Sequence, residues 1–325
     1  MTTSVTKGRT VTTTHTAFVA APPRVVYDLI ADASRWPYIF TPTVHVERLH
    51  GSATEELLRL WVVANGAVRN WISRRTFDAA DLRIRFRQET PSPPVASMGG
   101  EWVLIPLSDN ATSVVLLHEF RAIGDHPGNT ELIKQAVDRS STAELAMLKS
   151  TAELDRRLST LVHSLADSVT VRAEPGPVYD FLYRAQDWPQ RLPHVSSVVL
   201  DETVPNLQTI ELDTVGADGS TRTTGLVRVC FPYHSIVYKQ TRPPDVLSAH
   251  LGEWHLYPTA DGVRVTSRHT VMLDPERATR LLGRYATVEQ ARSLVRRTLA
   301  SSCLATLMHA KSAAEGDRDL RVVRS

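Results

Sequence analysis

A long internal repeat constrains the fold of this chain more strongly than any other feature of its sequence. The offset between matching positions is 188 − 36 = 152 residues, and it pairs four of the six tryptophans. The matching segments are Val26-Tyr27-Asp28, Trp36-Pro37 and Gly100-Glu101-Trp102 in the first copy, and Val178-Tyr179-Asp180, Trp188-Pro189 and Gly252-Glu253-Trp254 in the second. Solenoid repeats are only about 20–50 residues long. The sequence therefore predicts a duplicated domain, with one copy in residues 1–163 and the other in residues 164–325.

The hydrophobic periodicity within one copy predicts a sheet followed by a long helix. The predicted elements are a strand at Thr10–Val19, helices at Pro22–Asp32 and Ser34–Phe40, strands at Val44–His50, Leu57–Ala64, Val68–Phe77, Leu82–Thr90, Ala96–Leu107 and Ser113–Ala122, and a long amphipathic helix at Asn129–His163. The second copy repeats this order and ends in a helix that starts at Pro275 after the capping residue Asp274. We therefore predict an α+β fold in which a curved seven-stranded antiparallel sheet grips the last helix and leaves a cavity between them.

Composition excludes several classes of protein. The chain is 42% hydrophobic and its formal net charge is only +2, which is too balanced for a dedicated nucleic-acid binder. No run of about 18 apolar residues predicts a membrane span, and the polar N-terminus does not resemble a signal peptide, so we expect a cytoplasmic protein. Cys230 and Cys303 lie far apart, and the histidines show no zinc-ligand spacing. No metal or cofactor site is predicted.

The duplication, the order of elements, the Trp-Pro after the first helix and the Gly-Glu-Trp strand together resemble the two-domain aromatase/cyclases of bacterial type II polyketide synthases. Those proteins contain two tandem START-type helix-grip domains, and Trp71-Ile72-Ser73-Arg74-Arg75 looks like the active-site strand of the family. The resemblance implies an enzyme of antibiotic biosynthesis that closes and dehydrates the first ring of a carrier-protein-bound poly-β-ketone by aldol condensation. It also implies no cofactor, and as partners an acyl carrier protein and other type II synthase subunits.

The predicted active-site strand carries its polar groups on one face. Residues two apart on a strand share a face, so Trp71, Ser73 and Arg75 project together. The periodicity does not say whether this face or the opposite one points to the core, because Val68 and Ile72 make the opposite face equally apolar. If the first face lines the cavity, Arg75 would stabilise an enolate oxygen by about 3–4 kcal/mol, as one oxyanion-hole donor does. Ser73 would orient a carbonyl, and Trp71 would stack on the forming ring.

Two positions depart from the family pattern. Single-domain relatives place a tyrosine shortly after the Trp-Pro helix, where this chain has none, so Tyr38 or His45 is the candidate replacement and His45 the candidate proton shuttle. In the second copy, a shift of one residue aligns Arg228 with Arg75, but Thr224 and Leu226 replace the tryptophan and serine. We therefore expect the chemistry in the first domain, with Arg228 as a second pocket arginine.

Two alternative functions remain open from the sequence. A START-type cavity can bind or transport a hydrophobic ligand without catalysis, and a non-catalytic chaperone could fold the reactive chain. A further open point is the strand face formed by Arg83, Arg85 and Arg87, which is either solvated or a docking surface for an acidic carrier protein.

Overall fold

The computed structural model describes residues 9–64, 66–154, 157–216, 219–283, 285 and 287–316. The chain divides after Leu158 into two compact units. The boundary predicted after residue 163 lies instead two residues inside the first strand of the second unit, which spans Val162–Val171.

The first unit is a seven-stranded antiparallel sheet followed by a long helix. Its elements are β1 (Val11–Val19), α1 (Pro23–Ala31), α2 (Trp36–Ile39), β2 (Thr43–Gly51), β3 (Glu55–Ala64), β4 (Ala67–Asp78), β5 (Arg83–Gln88), β6 (Val95–Ser108), β7 (Ala111–Ala122) and α3 (Pro127–Ala152). Strands β2 to β7 follow one another as a meander, and β1 pairs with β7 to complete the order β1-β7-β6-β5-β4-β3-β2. Each strand therefore presents one alternating face to the helix.

The core of the first unit lies between that face and α3. Trp102, Leu104 and Leu116 from the sheet pack with Leu145 and Leu148 from the helix. Burial of such apolar side chains contributes on the order of 25 cal/mol per Å². It therefore holds the helix across the sheet.

The helix predicted over Asn129–His163 is too long. It ends at Ala152, where the next side chain, Glu153, accepts a hydrogen bond of 2.9 Å from the backbone N–H of Ala20 beyond β1. The apolar residues that follow belong to a short helix, α4 (Leu158–Leu161), and then to the first strand of the second unit. Periodicity alone could not separate these elements, because Leu158 and Leu161 are also packed or buried.

The second unit repeats the architecture of the first. Its elements are β8 (Val162–Val171), α5 (Pro175–Tyr183), α6 (Trp188–Arg191), β9 (Val195–Val204), β10 (Leu207–Val215), β11 (Thr221–Phe231), β12 (Ser235–Gln240), β13 (Leu247–Thr259), β14 (Gly262–Leu273), α7 (Pro275–Leu282) and α8 (Val288–Glu315). The strand order is β8-β14-β13-β12-β11-β10-β9. The predicted fold of two helix-grip units is confirmed.

The helix predicted from Pro275 is two helices. Asp274 caps α7 as predicted, because its side chain accepts from the backbone N–H of Arg277 at 3.0 Å. The helix then ends at Gly283, whose φ of +98° suits glycine. The second helix, α8, begins with a capping box formed by Thr287 and Gln290. None of the described helices is long and apolar enough to cross a membrane.

Candidate active sites

The inner face of β4 carries the residue set predicted from the sequence. Ser73 and Arg75 are buried, and Trp71 packs against the inner-face residues Leu58 and Leu60. Arg74 points to the opposite face, where it pairs with two exposed glutamates. The structure therefore brings Trp71, Ser73 and Arg75 together on the face that meets the helix.

The guanidinium of Arg75 is held by the protein itself. Its Nε donates to Glu56 Oε1 at 2.8 Å, and its Nη2 donates to the same oxygen. Its Nη1 donates to the carbonyl of Ile30 at 2.7 Å, and its Nη2 to the carbonyl of Ala31 at 2.6 Å, both at the end of α1. Burial lowers the pKa of Arg75, and the carboxylate of Glu56 opposes this effect. Four of its five N–H bonds are thus used, which leaves little capacity for a substrate oxygen.

Ser73 is free where Arg75 is not. Its hydroxyl has no hydrogen-bond partner among the described residues, although the side chain is buried. A buried hydroxyl without a partner is costly unless something else satisfies it. Together with the half-buried ring of Trp71, it offers an unoccupied polar group beside an aromatic wall.

The structure does not bring His45 into this set. In the antiparallel pair of β2 and β3, His45 lies opposite Trp61, and their rings are 5.2 Å apart. The next pair, Val46 and Leu60, lies on the inner face with Trp71. Because neighbouring residues of a strand point to opposite faces, His45 lies on the outer face, away from Ser73. Tyr38 is half-buried against the first core.

Sequence reasoning missed a polar group on the inner face of β7. His118 lies there with its Nδ1 3.3 Å from the hydroxyl of Ser141 on α3. The ring of Phe86 packs against the imidazole at 5.2 Å. Burial lowers the pKa of His118 to about 4, so the ring is neutral at neutral pH. The available signal was a histidine in a strand whose alternate residues Leu116 and Phe120 are apolar.

A carboxyl on α3 completes this interior polar group. Glu144 follows Ser141 by three residues and therefore lies on the same side of the helix. It has no hydrogen-bond or ion-pair partner among the described residues, and burial raises its pKa to about 7. A carboxyl with this pKa can both accept and return a proton near neutral pH. The available signal was a glutamate on a helix face otherwise formed by residues such as Leu145 and Leu148.

The second unit has an arginine in the corresponding place. Arg228 lies on the inner face of β11, is fully buried, and donates from Nη2 to the carbonyl of Leu182 at 2.7 Å. Its Nε and Nη1 have no hydrogen-bond partner. The rings of Trp188 and Trp254 lie 5.5 and 5.9 Å from its guanidinium carbon. Arg228 is therefore a pocket arginine with donors to spare.

Histidines and a cysteine form a buried chain beside this arginine. His250 Nε2 lies 2.8 Å from His269 Nδ1, and His269 Nε2 contacts both Ser267 and the thiol of Cys303 on α8. Burial lowers the pKa of His250 to about 3 and that of His269 to about 4, and it raises the pKa of Cys303 to about 11. The chain is therefore neutral. No three His, Cys, Asp or Glu side chains in the described ranges are arranged to hold a metal ion.

The arginines of β5 lie on the outer face of the first sheet. Arg83 and Arg85 donate to Glu101 at 3.1 and 3.0 Å. Arg87 has no carboxylate partner among the described residues, and with Arg85 and Glu101 it lines an open groove of about 480 Å³. The predicted positive face is thus largely neutralised by its own glutamate.

Comparison with known proteins gives a consistent result. The family described as "Polyketide cyclase / dehydrase and lipid transport" matches residues 19–139 and 171–299. The granaticin polyketide synthase bifunctional cyclase/dehydratase of Streptomyces violaceoruber is 41% identical, and the match covers 93% of each chain. The corresponding actinorhodin protein of Streptomyces coelicolor is also 41% identical, over 92% of this chain and 96% of its own.

Two solved structures share the two-unit architecture. The di-domain aromatase/cyclase BexL from the BE-7585A biosynthetic pathway is 44% identical with a TM-score of 0.85, covering 94% of this chain and 99% of its own. StfQ from the steffimycin pathway is 35% identical with a TM-score of 0.82, covering 94% and 98%. On these grounds the chain belongs to the polyketide cyclase/dehydrase and lipid transport family, as a two-domain polyketide cyclase/dehydratase.

Proposed function

We propose that the first domain closes and dehydrates the first ring of a poly-β-ketone that is held on an acyl carrier protein. The observation that carries this proposal is the unpartnered carboxyl of Glu144, whose burial raises its pKa to about 7. It lies on the same helix face as Ser141, which contacts the neutral imidazole of His118. An acid/base group with a pKa near the working pH is what an aldol condensation needs.

The reaction divides into proton transfers that these groups can perform. The ionised Glu144 removes a proton from a methylene between two ketones, and the resulting enolate carbon forms a bond to a carbonyl further along the chain. The alkoxide so produced takes the proton back and becomes a hydroxyl. Removal of a second α-proton, with protonation of that hydroxyl as it leaves as water, gives the double bond. The neutral His118 can donate or accept at its free ring nitrogen, and Ser73 can donate to a ketone oxygen.

The bonding of Arg75 favours a positioning role. Its guanidinium joins Glu56 on β3 to the last carbonyls of α1, so it sets the position of β4 and therefore of Ser73 and Trp71. A residue that holds the pocket in shape contributes by keeping reacting atoms at the right distance. Its loss would therefore lower activity through displacement of the neighbouring groups.

Partners follow from the same proposal. The relatives are named as polyketide synthase proteins, which supports other synthase subunits and an acyl carrier protein as partners. Carrier proteins are acidic, and complementary charge steers such encounters. Arg87 is the candidate contact on the outer face of the sheet, because Arg83 and Arg85 already pair with Glu101.

The test is reconstitution with a minimal type II synthase and analysis of the ring products. Glu144→Gln keeps the shape of the side chain but removes the acid/base group, and we expect aromatic first-ring product to fall about 10²-fold, with more shunt products. Glu131→Gln is the matched control, since Glu131 lies on the exposed part of the same helix and bonds only to Gln135. Unchanged product ratios in a folded Glu144→Gln protein would favour simple ligand carriage over catalysis.

A further inference from the structure

We infer that the second domain contains a binding site for a planar ligand with an anionic oxygen, such as the enolate of a 1,3-dicarbonyl compound, and that Arg228 is its centre. This inference concerns binding in the second domain. It does not depend on the ring closure proposed for the first.

The first step of the argument is the unbalanced charge of Arg228. The side chain is fully buried, yet no carboxylate of the described residues lies within 4.0 Å of its guanidinium, and its Nε and Nη1 have no partner. Buried charges are ordinarily paired, because an unpaired one loses its hydration without compensation. An anionic oxygen would supply both the missing charge and the missing acceptor.

The first domain shows what is missing. Arg75 lies directly opposite Glu56 in the β3–β4 pair, and Arg228 lies directly opposite Gln208 in the β10–β11 pair. Both arginines also donate to a carbonyl of the preceding helix, Ile30 in one case and Leu182 in the other. The two sites therefore share their geometry and differ in the counter-charge, which is replaced by a neutral amide in the second domain.

The neighbours of Arg228 add donors but no free anion. Trp254 Nε1, whose ring lies beside the guanidinium, is also buried without a partner, and so is the hydroxyl of Tyr179. Burial raises the pKa of the adjacent Cys230 thiol to about 11, so it stays neutral. The carboxylate of Glu202 already accepts from the hydroxyl of Tyr183 and from the amide of Gln208.

The shape of this environment selects a flat, conjugated anion. The rings of Trp188 and Trp254 both lie within 6 Å of the guanidinium, and aromatic faces pack well against planar groups. A guanidinium presents parallel N–H bonds that match two oxygens of one ligand. The enolate of a 1,3-dicarbonyl compound has both properties, since its charge is shared between two coplanar oxygens.

The test measures binding of 1,3-cyclohexanedione to the full chain by calorimetry at neutral pH, where this diketone is ionised, with neutral cyclohexanone as the comparison ligand. We expect the diketone to bind and cyclohexanone not to bind. Arg228→Met should abolish the binding, and Trp254→Phe should weaken it about tenfold because it removes one N–H donor and keeps an aromatic ring. Arg222→Met is the matched control, because it removes the same charge from an exposed position of the same strand.

Gln208→Glu gives an independent readout if Arg228→Met does not fold. It places a carboxylate opposite Arg228, as in the first domain, and the affinity for the diketone should fall at least tenfold. The inference is overturned if the diketone binds no better than cyclohexanone, or if a folded Arg228→Met, Trp254→Phe or Gln208→Glu protein binds it as the unmodified chain does. Because no turnover is measured, these outcomes are separate from those of the Glu144→Gln experiment.

Discussion

The buried ion pair of the first domain gives a sharp test of how the sheet is held to its first helix. Glu56 and Arg75 are both almost inaccessible to solvent, and Glu56 Oε1 receives two of the N–H bonds of Arg75. Removing one partner of such a pair costs about 3–5 kcal/mol, and Glu56→Gln should cost somewhat less, about 2–4 kcal/mol, because the amide oxygen can still accept a hydrogen bond. For a domain of this size the expected loss in Tm is about 5–15 °C.

The neighbouring residue provides the control. Glu55 pairs with Arg74 between the same two strands, but both side chains are more than 40% exposed. Exposed pairs contribute little net stability, so Glu55→Gln should change the melting temperature only slightly. Thermal unfolding of both variants gives the comparison, and hydrogen exchange of β4 shows whether the loss is local. Equal melting temperatures for Glu56→Gln and Glu55→Gln would refute the view that the buried pair anchors the strand to α1.

Two further predictions concern the interior of the sheets. Glu144 keeps its proton in the folded state up to a pKa of about 7, whereas its ordinary value is 4.5, so the folded state should lose stability as pH rises from about 4.5 to 7; Glu144→Gln should remove this loss, and melting curves between pH 5 and 8 test it, with a constant difference from the unmodified chain counting against the assignment. Gly100→Ala should destabilise more than Gly252→Ala, because the added Cβ would lie 2.0 Å from the backbone oxygen of Leu117 in the first case and against the movable ring of Tyr238 in the second; denaturant unfolding would measure the difference, and equal losses would contradict this explanation.

Local patterns were sufficient for the fold and for the placement of one strand face. The 152-residue offset and the alternation of apolar residues predicted two sheets followed by long helices, because these features depend on neighbours in the sequence. The same alternation placed Trp71, Ser73 and Arg75 on one face. It could not decide which face is buried, since that depends on which side α3 covers.

The partners of the site residues could not be predicted because they come from distant parts of the chain. Arg75 is paired with Glu56, which lies 19 residues away on another strand, and with carbonyls of α1 about 45 residues away. His118 and Ser141 likewise meet only when α3 packs on β7. His45 was misplaced because the irregular register between β2 and β3 near Thr43 is not visible in the sequence.

In both domains a single guanidinium closes the exit of the first helix by binding a carbonyl there, and one strand position decides how many of its remaining bonds are free. That position holds Glu56 in one copy and Gln208 in the other. A duplicated protein of this design can therefore move an unsatisfied cation between its halves by exchanging one acid for one amide, while both scaffolds keep their helix attachment.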